Sequence, residues 1–194
     1  MSIEKLSQHF DNYFPLNAQE RDELNALFIE RSIKRRQFVL QHGDVCRHFT
    51  FVVSGCLKMY AVDINGKEHN IQFIAENDWA TDLSSFYSEK PSQLYIEAVE
   101  PTAVLQIRHD DVLHLYTTYH KFDHNFRVII EQKYIELQNR VLQNISFSAE
   151  DRYEYFLKQY PKLAARLPNT QIASYLGITP EFLSTIRKNI AYKG

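Results

Sequence analysis

Cysteine is scarce in this chain. Cys46 and Cys56 are the only two among 194 residues. They do not form a CxxC pair, and two thiols alone hold neither a four-cysteine cluster nor a zinc ion. Both read as reduced, buried thiols, with redox sensing the weaker alternative. Long apolar runs are missing too: no stretch approaches the roughly 18 residues a membrane span needs. The opening segment MSIEKLSQHF has no apolar centre and no cleavage signature, so it does not read as a secretory leader. The two absences together predict a cytoplasmic protein with no membrane partner. His-x-His is absent as well, and a metal-dependent β-roll enzyme needs two such histidines, an acid and a third His. His42, His48 and His69 are scattered around turn signals. His120 and His124 are four apart but lack HExxH and a third ligand. No metal and no cofactor is therefore expected, and no enzyme. Asp82 and Glu97 could act as a carboxylate pair, but nothing in the sequence positions them, and Glu97 reads as a solvent-facing strand residue.

What is present is an ordinary globular balance of 44% hydrophobic and 24% charged residues, enough for one medium domain and a small one. The net charge of −2 is unevenly spread. Residues 150–194 hold seven Lys or Arg against four Asp or Glu, a net +3, which leaves −5 on the rest. A mildly basic end on an acidic body suits a small nucleic-acid-contacting domain attached to a sensor. The basic run Lys34-Arg35-Arg36 reads as a solvated patch.

Residues 3–12 read as a short amphipathic helix. Asn17 with Glu20 three later resembles a capping box, opening a helix to about Phe28. From Ser32, short runs rich in Val, Ile, Phe and Tyr alternate with turn signals. Strands are expected at 37–40, 49–53, 57–62, 70–74, 94–99 and 103–107. Asn65-Gly66 inside Asp63–Gly66 is a hairpin signal. Many short strands at close spacing predict a β-roll or jelly roll. From about Asp110 the texture is helical. Between 121 and 144 one apolar stripe runs Phe122, Phe126, Ile129, Leu137, Val141, and a second runs Val128, Ile135, Leu142. A helix apolar on two sides needs two partners: the chain's own roll, and the same helix of a second subunit. Dimer contacts are expected on Phe122, Phe126, Ile129, Leu137 and Val141. Ser148 with Asp151 marks a further helix start, and Pro161 and Pro168 mark breaks.

The most specific segment is TQIASYLGITPEFLSTIRK, Thr170–Lys188. Ile172 and Leu176 share a face of one short helix, and Ala173 allows close approach. Gly177 supplies a sharp turn. Thr179-Pro180 is a hydroxyl N-cap followed by proline at the first helical position. In the next helix Leu183, Ile186 and Ile190 share a face. Glu181, Ser184, Thr185 and Lys188 lie about 180° away at about 100° per residue, with Arg187 on the flank. This is the layout of a helix-turn-helix that sets its second helix in a DNA major groove. Asn169, Thr170, Arg187 and Lys188 are the expected phosphate contacts. Glu181, Ser184, Thr185 and Lys188 are the expected base contacts, Glu181 by accepting from a cytosine amine. The alternative is a ligand-binding module whose helical tail docks a protein rather than DNA.

A β-roll, a long helix and a C-terminal helix-turn-helix in this order resemble the Crp/Fnr family of bacterial transcription regulators. The resemblance runs from Ile33 to Lys188. It rests on FVVSGCLKMY (51–60), NGKE (65–68), NDWATDLSSF (77–86), IEAVEPTAVLQI (96–107) and the terminal motif. It implies an α+β chain: an N-terminal double-stranded β-helix (jelly-roll) sensor domain over 1–119, a dimerisation helix over 120–145, and a helical DNA-binding domain over 146–194. It also implies a homodimer, RNA polymerase as a further partner, and control by a small-molecule effector. Members that bind cyclic AMP carry Gly-Glu-Leu and, about ten residues later, Arg-Ser. Here these positions read Thr81-Asp82-Leu83 and Ser92-Gln93, with Lys90 the only cation nearby. The polar pair that meets adenine falls on Leu137-Gln138. The effector pocket is thus expected at Asp82, Leu83, Ser92, Gln93, Leu137 and Gln138. Without a guanidinium for the phosphate, tight cyclic-nucleotide binding is not expected. Only Asn189–Gly194 follow the motif, too short for the β-hairpin wing common in the family, so wing phosphate contacts are expected to be lost.

Overall fold

Two capping boxes set the helix starts where the sequence places them. Asn17 accepts from the Glu20 amide at 2.9 Å while the Glu20 carboxylate accepts from the Asn17 amide at 2.7 Å, opening α2 (Ala18–Leu27). Ser148 and Asp151 do the same for α6 (Ala149–Gln159). The structure, a computed structural model, describes residues 2–193, with side chains through Ile190. Before α2 lies α1 (Ser2–Asp11). After it come β1 (Ile29–Ile33), β2 (Phe38–Leu40), β3 (His48–Ser54), β4 (Leu57–Val62), β5 (Glu68–Ile74) and β6 (Trp79–Ala80). A short α3 (Leu83–Ser88) precedes β7 (Tyr95–Ala98) and β8 (Thr102–Arg108). The rest is helical: α4 (His109–Thr118), α5 (His120–Ser146), α6, α7 (Pro161–Ala164), α8 (Asn169–Leu176) and α9 (Pro180–Lys193).

The chain divides into two compact units, Met1–Ala61 with Gln72–Gln132, and Val62–Ile71 with Lys133–Gly194. The strands form two four-stranded sheets in the orders β1-β8-β3-β6 and β2-β7-β4-β5. Alternation along β3 sends Phe49 and Phe51 to one side and Thr50 to the other. Trp79, 4% exposed, centres the aromatic part of the first unit's core. Its ring centroid lies 5.0 to 6.3 Å from Phe10, Phe28, Phe49, Phe51 and Phe126. Its indole N–H meets His9 Nε2 at 3.1 Å, so the buried donor is satisfied.

Three expectations need correction. β1 and β6 were not among the expected strands; β1 carries Glu30 and Arg31 and is exposed along most of its length, so no apolar alternation marks it. Glu97 is not solvent-facing: its side chain is 13% exposed, accepts from the Tyr60 hydroxyl at 3.1 Å and lies 3.6 Å from Lys58 Nζ. The expected dimer stripe splits. Phe122, Phe126 and Ile129 are at most 3% exposed and belong to the first unit's core. Leu137 and Val141 are half-exposed, and Tyr134, Ile135, Leu142 and Ile145 are open beside them. Residues 134–145 therefore present one broad apolar arc, made from both stripes, with Gln138 near its middle.

Cys46 and Cys56 are both buried thiols, and burial pushes the Cys46 thiol above its ordinary value. Thiolate is the reactive form, so both should resist alkylation. Iodoacetamide at pH 8 is expected to label the native chain far more slowly than the denatured one, which should gain two adducts, read by intact mass. Labelling of the native chain at the denatured rate would contradict this packing.

Candidate functional site

The C-terminal pair of helices is built by a turn only glycine fits well. Gly177 has φ +68° and ψ +31°, the left-handed conformation. Its amide donates to the Ser174 carbonyl at 3.3 Å, and the Ile178 amide donates to the Ala173 carbonyl at 3.0 Å. These two bonds are the Schellman closure of α8. Thr179 then caps α9, its hydroxyl oxygen accepting from the Phe182 amide at 3.2 Å, and Pro180 opens the helix. Ile172, Ala173 and Leu176 of α8 and Leu183 and Ile186 of α9 are buried together with Tyr153, Phe156, Leu163 and Leu167. That is a small core sufficient to fix the angle between α8 and α9.

Glu181, Ser184, Thr185, Arg187 and Lys188 are all exposed, on the side of α9 away from Leu183 and Ile186. The Ser184 and Thr185 hydroxyls donate back to the Pro180 and Glu181 carbonyls, at 3.0 and 3.2 Å. Arg187 donates to the side-chain oxygen of Asn169, tying the start of α8 to the flank of α9. Asn169 and Thr170 form the exposed first turn of α8, where Pro168 supplies no side-chain cap. First-turn amides of this kind suit an anion. Phe182, 49% exposed, stands beside the polar residues of α9 and was not anticipated. Its neighbour Leu183 faces the core, so the helical period alone could have placed it outward.

Arg140 is the other residue the sequence did not single out. It donates to the Asn70 carbonyl at 2.7 Å and the Tyr175 carbonyl at 3.0 Å, and its guanidinium lies 4.1 Å from the Tyr175 ring centroid. Burial lowers its pKa from the ordinary value. The Asn70 amide side chain donates to the Gln171 carbonyl and side chain at 3.0 and 2.9 Å, and the Asn70 backbone amide donates to Ser174 Oγ at 3.1 Å. Gln171 and Ser174 of α8 are thus taken up by Glu68 and Asn70, while the polar side of α9 stays exposed. The Asp63–Gly66 hairpin closes as expected: Gly66 is left-handed and the Asp63 carboxylate accepts from the Asn65 and Lys67 amides.

The six expected effector residues fall in both units, Asp82, Leu83, Ser92 and Gln93 in the first and Leu137 and Gln138 in the second. Asp82 is 8% exposed and Ser92 2%. The Ser92 hydroxyl donates to Asp82 Oδ2 at 2.6 Å, and Asp82 Oδ1 caps α3 through the Ser84 and Ser85 amides. The carboxylate is thereby spent on the fold itself. Leu83 packs half-buried against the core, Gln93 is exposed, and Leu137 and Gln138 lie on the open arc of α5. Among the described residues no three His, Cys, Asp or Glu side chains cluster to hold a metal. Among the described residues no helix is long and apolar enough to cross a membrane.

Residues 30–119 match the cyclic nucleotide-binding domain family. The probable transcriptional regulator flp of Lacticaseibacillus casei is 27% identical over 186 residues, covering 91% of this chain and 82% of that one. Among solved structures, FixK2 of Bradyrhizobium japonicum superposes with a TM-score of 0.78 at 16% identity, covering 87% of this chain and 86% of that one. The c-di-GMP responsive global regulator CLP of Xanthomonas campestris gives 0.74 at 14% identity, covering 92% and 93%. A crp/fnr-family protein of Eubacterium rectale gives 0.71 at 18%, covering 94% and 89%. By sequence this chain is similar to a probable transcriptional regulator, by fold it is similar to regulators of the Crp/Fnr type, and its residues 30–119 match the cyclic nucleotide-binding domain family.

Proposed function

We propose that this protein is a sequence-specific DNA-binding regulator that works as a homodimer, with α9 as the recognition helix. The observation that carries this is the exposed polar face of α9, held off a buried Leu183–Ile186 face by the left-handed Gly177 turn. Asn169, Thr170, Arg187 and Lys188 would meet phosphates. Glu181, Ser184, Thr185 and Lys188 would reach base edges, and Phe182 suits a thymine methyl. The apolar arc of α5 around Tyr134, Val141 and Ile145 would pair with its copy about a two-fold axis, Gln138 setting the register. RNA polymerase is the partner a regulator of this kind would address. Cyclic nucleotides are not expected to bind tightly, because Asp82 and Ser92 are hydrogen-bonded to each other and no arginine stands at the second position.

Selection of bound fragments from the host genome, followed by band shifts on the strongest, tests the reading. Lys188→Ala should weaken binding by roughly 5- to 150-fold, the ~1–3 kcal/mol of a good base contact. Affinity should fall steeply with salt, as counterion release requires. Replacements of Glu181, Thr185 and Lys188 that all bind like the parent would remove α9 from the interface. Binding to a protein partner with a shallow salt dependence would favour the docking alternative.

A further inference from the structure

Between the two sheets of the first unit lies a cavity of about 400 Å³. Leu40 on β2, Ala80 on β6 and Ile96 on β7 line it with apolar surface, and Arg47, His48 and Thr50 line it with polar groups. The volume suits a small molecule. None of the six positions expected for a cyclic nucleotide lines it.

Cations outnumber acids around it. Arg47 is exposed on the lining. Arg108 is the cross-strand partner of His48. Arg31 on β1 donates to Gln106 Oε1 at 2.7 Å, and Gln106 Nε2 donates to Thr50 Oγ1 at 2.9 Å, so this guanidinium is tied to the cavity floor. Among the described residues none of these three arginines is ion-paired with a carboxylate. Two acids are near: Asp44 on the lining, and Asp82, whose carboxylate is taken up by Ser92 and the start of α3. Burial lowers the His48 pKa, and Arg31, Arg108 and Arg47 push it the same way. A cluster of cations at a concave site, on a chain whose net charge is −2, concentrates positive potential where small anions can enter.

We propose that this cavity binds a small organic oxyanion, a carboxylate or phosphate ester on a compact apolar body. The head would face Arg47 and His48, and the body would pack on Leu40, Ala80 and Ile96. The site belongs to the first unit alone and stands whether or not α9 binds DNA.

The test is thermal unfolding of the full chain, at constant ionic strength, titrated with benzoate, phenyl phosphate and benzamide. A ligand of the native state raises the midpoint with its concentration. Benzoate or phenyl phosphate should give a saturable rise, and the stronger of the two names the head group. Benzamide, the same size without the charge, should give none. Arg47→Gln, an exposed change that leaves the fold intact, should require about tenfold more anion for the same rise. An equal rise with benzamide, no rise with either anion, or unchanged affinity in Arg47→Gln would overturn the proposal.

Discussion

Replacing Val141 by glutamate should convert the proposed dimer to a monomer and abolish the proposed tight operator binding, while leaving the monomer's own stability nearly unchanged. Val141 is half-exposed in the single chain, on the arc it shares with Tyr134, Leu137, Leu142 and Ile145. With half of its surface open, it contributes little to the packing of its own subunit. In a two-fold pair the change occurs twice. Each side forfeits the burial of one Val, about 1.5 kcal/mol or more, and each must bury or expel a carboxylate. A loss of at least ~4 kcal/mol corresponds to a dimer dissociation constant raised about 10³-fold. Light scattering during size exclusion reads the mass directly, and a band shift on the selected operator reads the consequence. Because a monomer offers one half-site, operator affinity should fall by more than any single base-contact variant of α9 produces. A Val141→Glu protein that still elutes with the mass of two chains would place the subunit contact elsewhere.

That arc also marks where the sequence stops being legible. Periodicity finds that Phe122, Phe126, Ile129, Leu137 and Val141 share a side of α5, which is true of the helix. It cannot say where along the helix the cover ends. The first three lie in the part of α5 that belongs to the first unit, and the last two in the part that belongs to the second. Features written in local residue order came through: both capping boxes, the Asp63–Gly66 hairpin and the Thr179 cap after Gly177. Each is decided by groups within a few positions of one another. Features made by distant pairing did not. β1 exists because Ile29–Ile33 pairs with Thr102–Gln106, and its own residues carry no strand pattern. Arg140 reads as one more polar residue on a long helix, yet it meets carbonyls of Asn70 and Tyr175, 70 and 35 positions away. The arginines around His48 are likewise distant in sequence: pairing of β3 with β8 and of β8 with β1 brings Arg108 and Arg31 near it, beside its chain neighbour Arg47.

Gly55→Ala should destabilise the first unit by about 3 kcal/mol, more than any other single-methyl change at a glycine of known surroundings in this chain. Gly55 joins β3 to β4 with φ +93°, so a side chain there already costs about 1 kcal/mol. The larger cost is steric. A Cβ would stand 2.6 Å from the Pro101 carbonyl oxygen and from Thr102 Oγ1, and 2.7 Å from Thr102 Cα. Those atoms cannot easily retreat. Thr102, 3% exposed, donates to the Cys56 carbonyl at 3.2 Å and accepts from the Cys56 amide at 3.1 Å. The Val99 amide donates to the same Cys56 carbonyl at 2.9 Å. Shifting the corner therefore breaks buried hydrogen bonds that hold β4 to the turn before β8. Gly66→Ala is the internal comparison: φ is +78° but nothing lies within 4 Å of the added carbon, so only the conformational cost of about 1 kcal/mol remains. Trp79 is the chain's single tryptophan and sits in the first unit's core, so its fluorescence in urea follows this unit selectively. The Gly55→Ala midpoint should fall well below that of Gly66→Ala. Equal midpoints would mean the Pro101–Thr102 corner yields at little cost, and the close approach at Gly55 would then not be what fixes this turn.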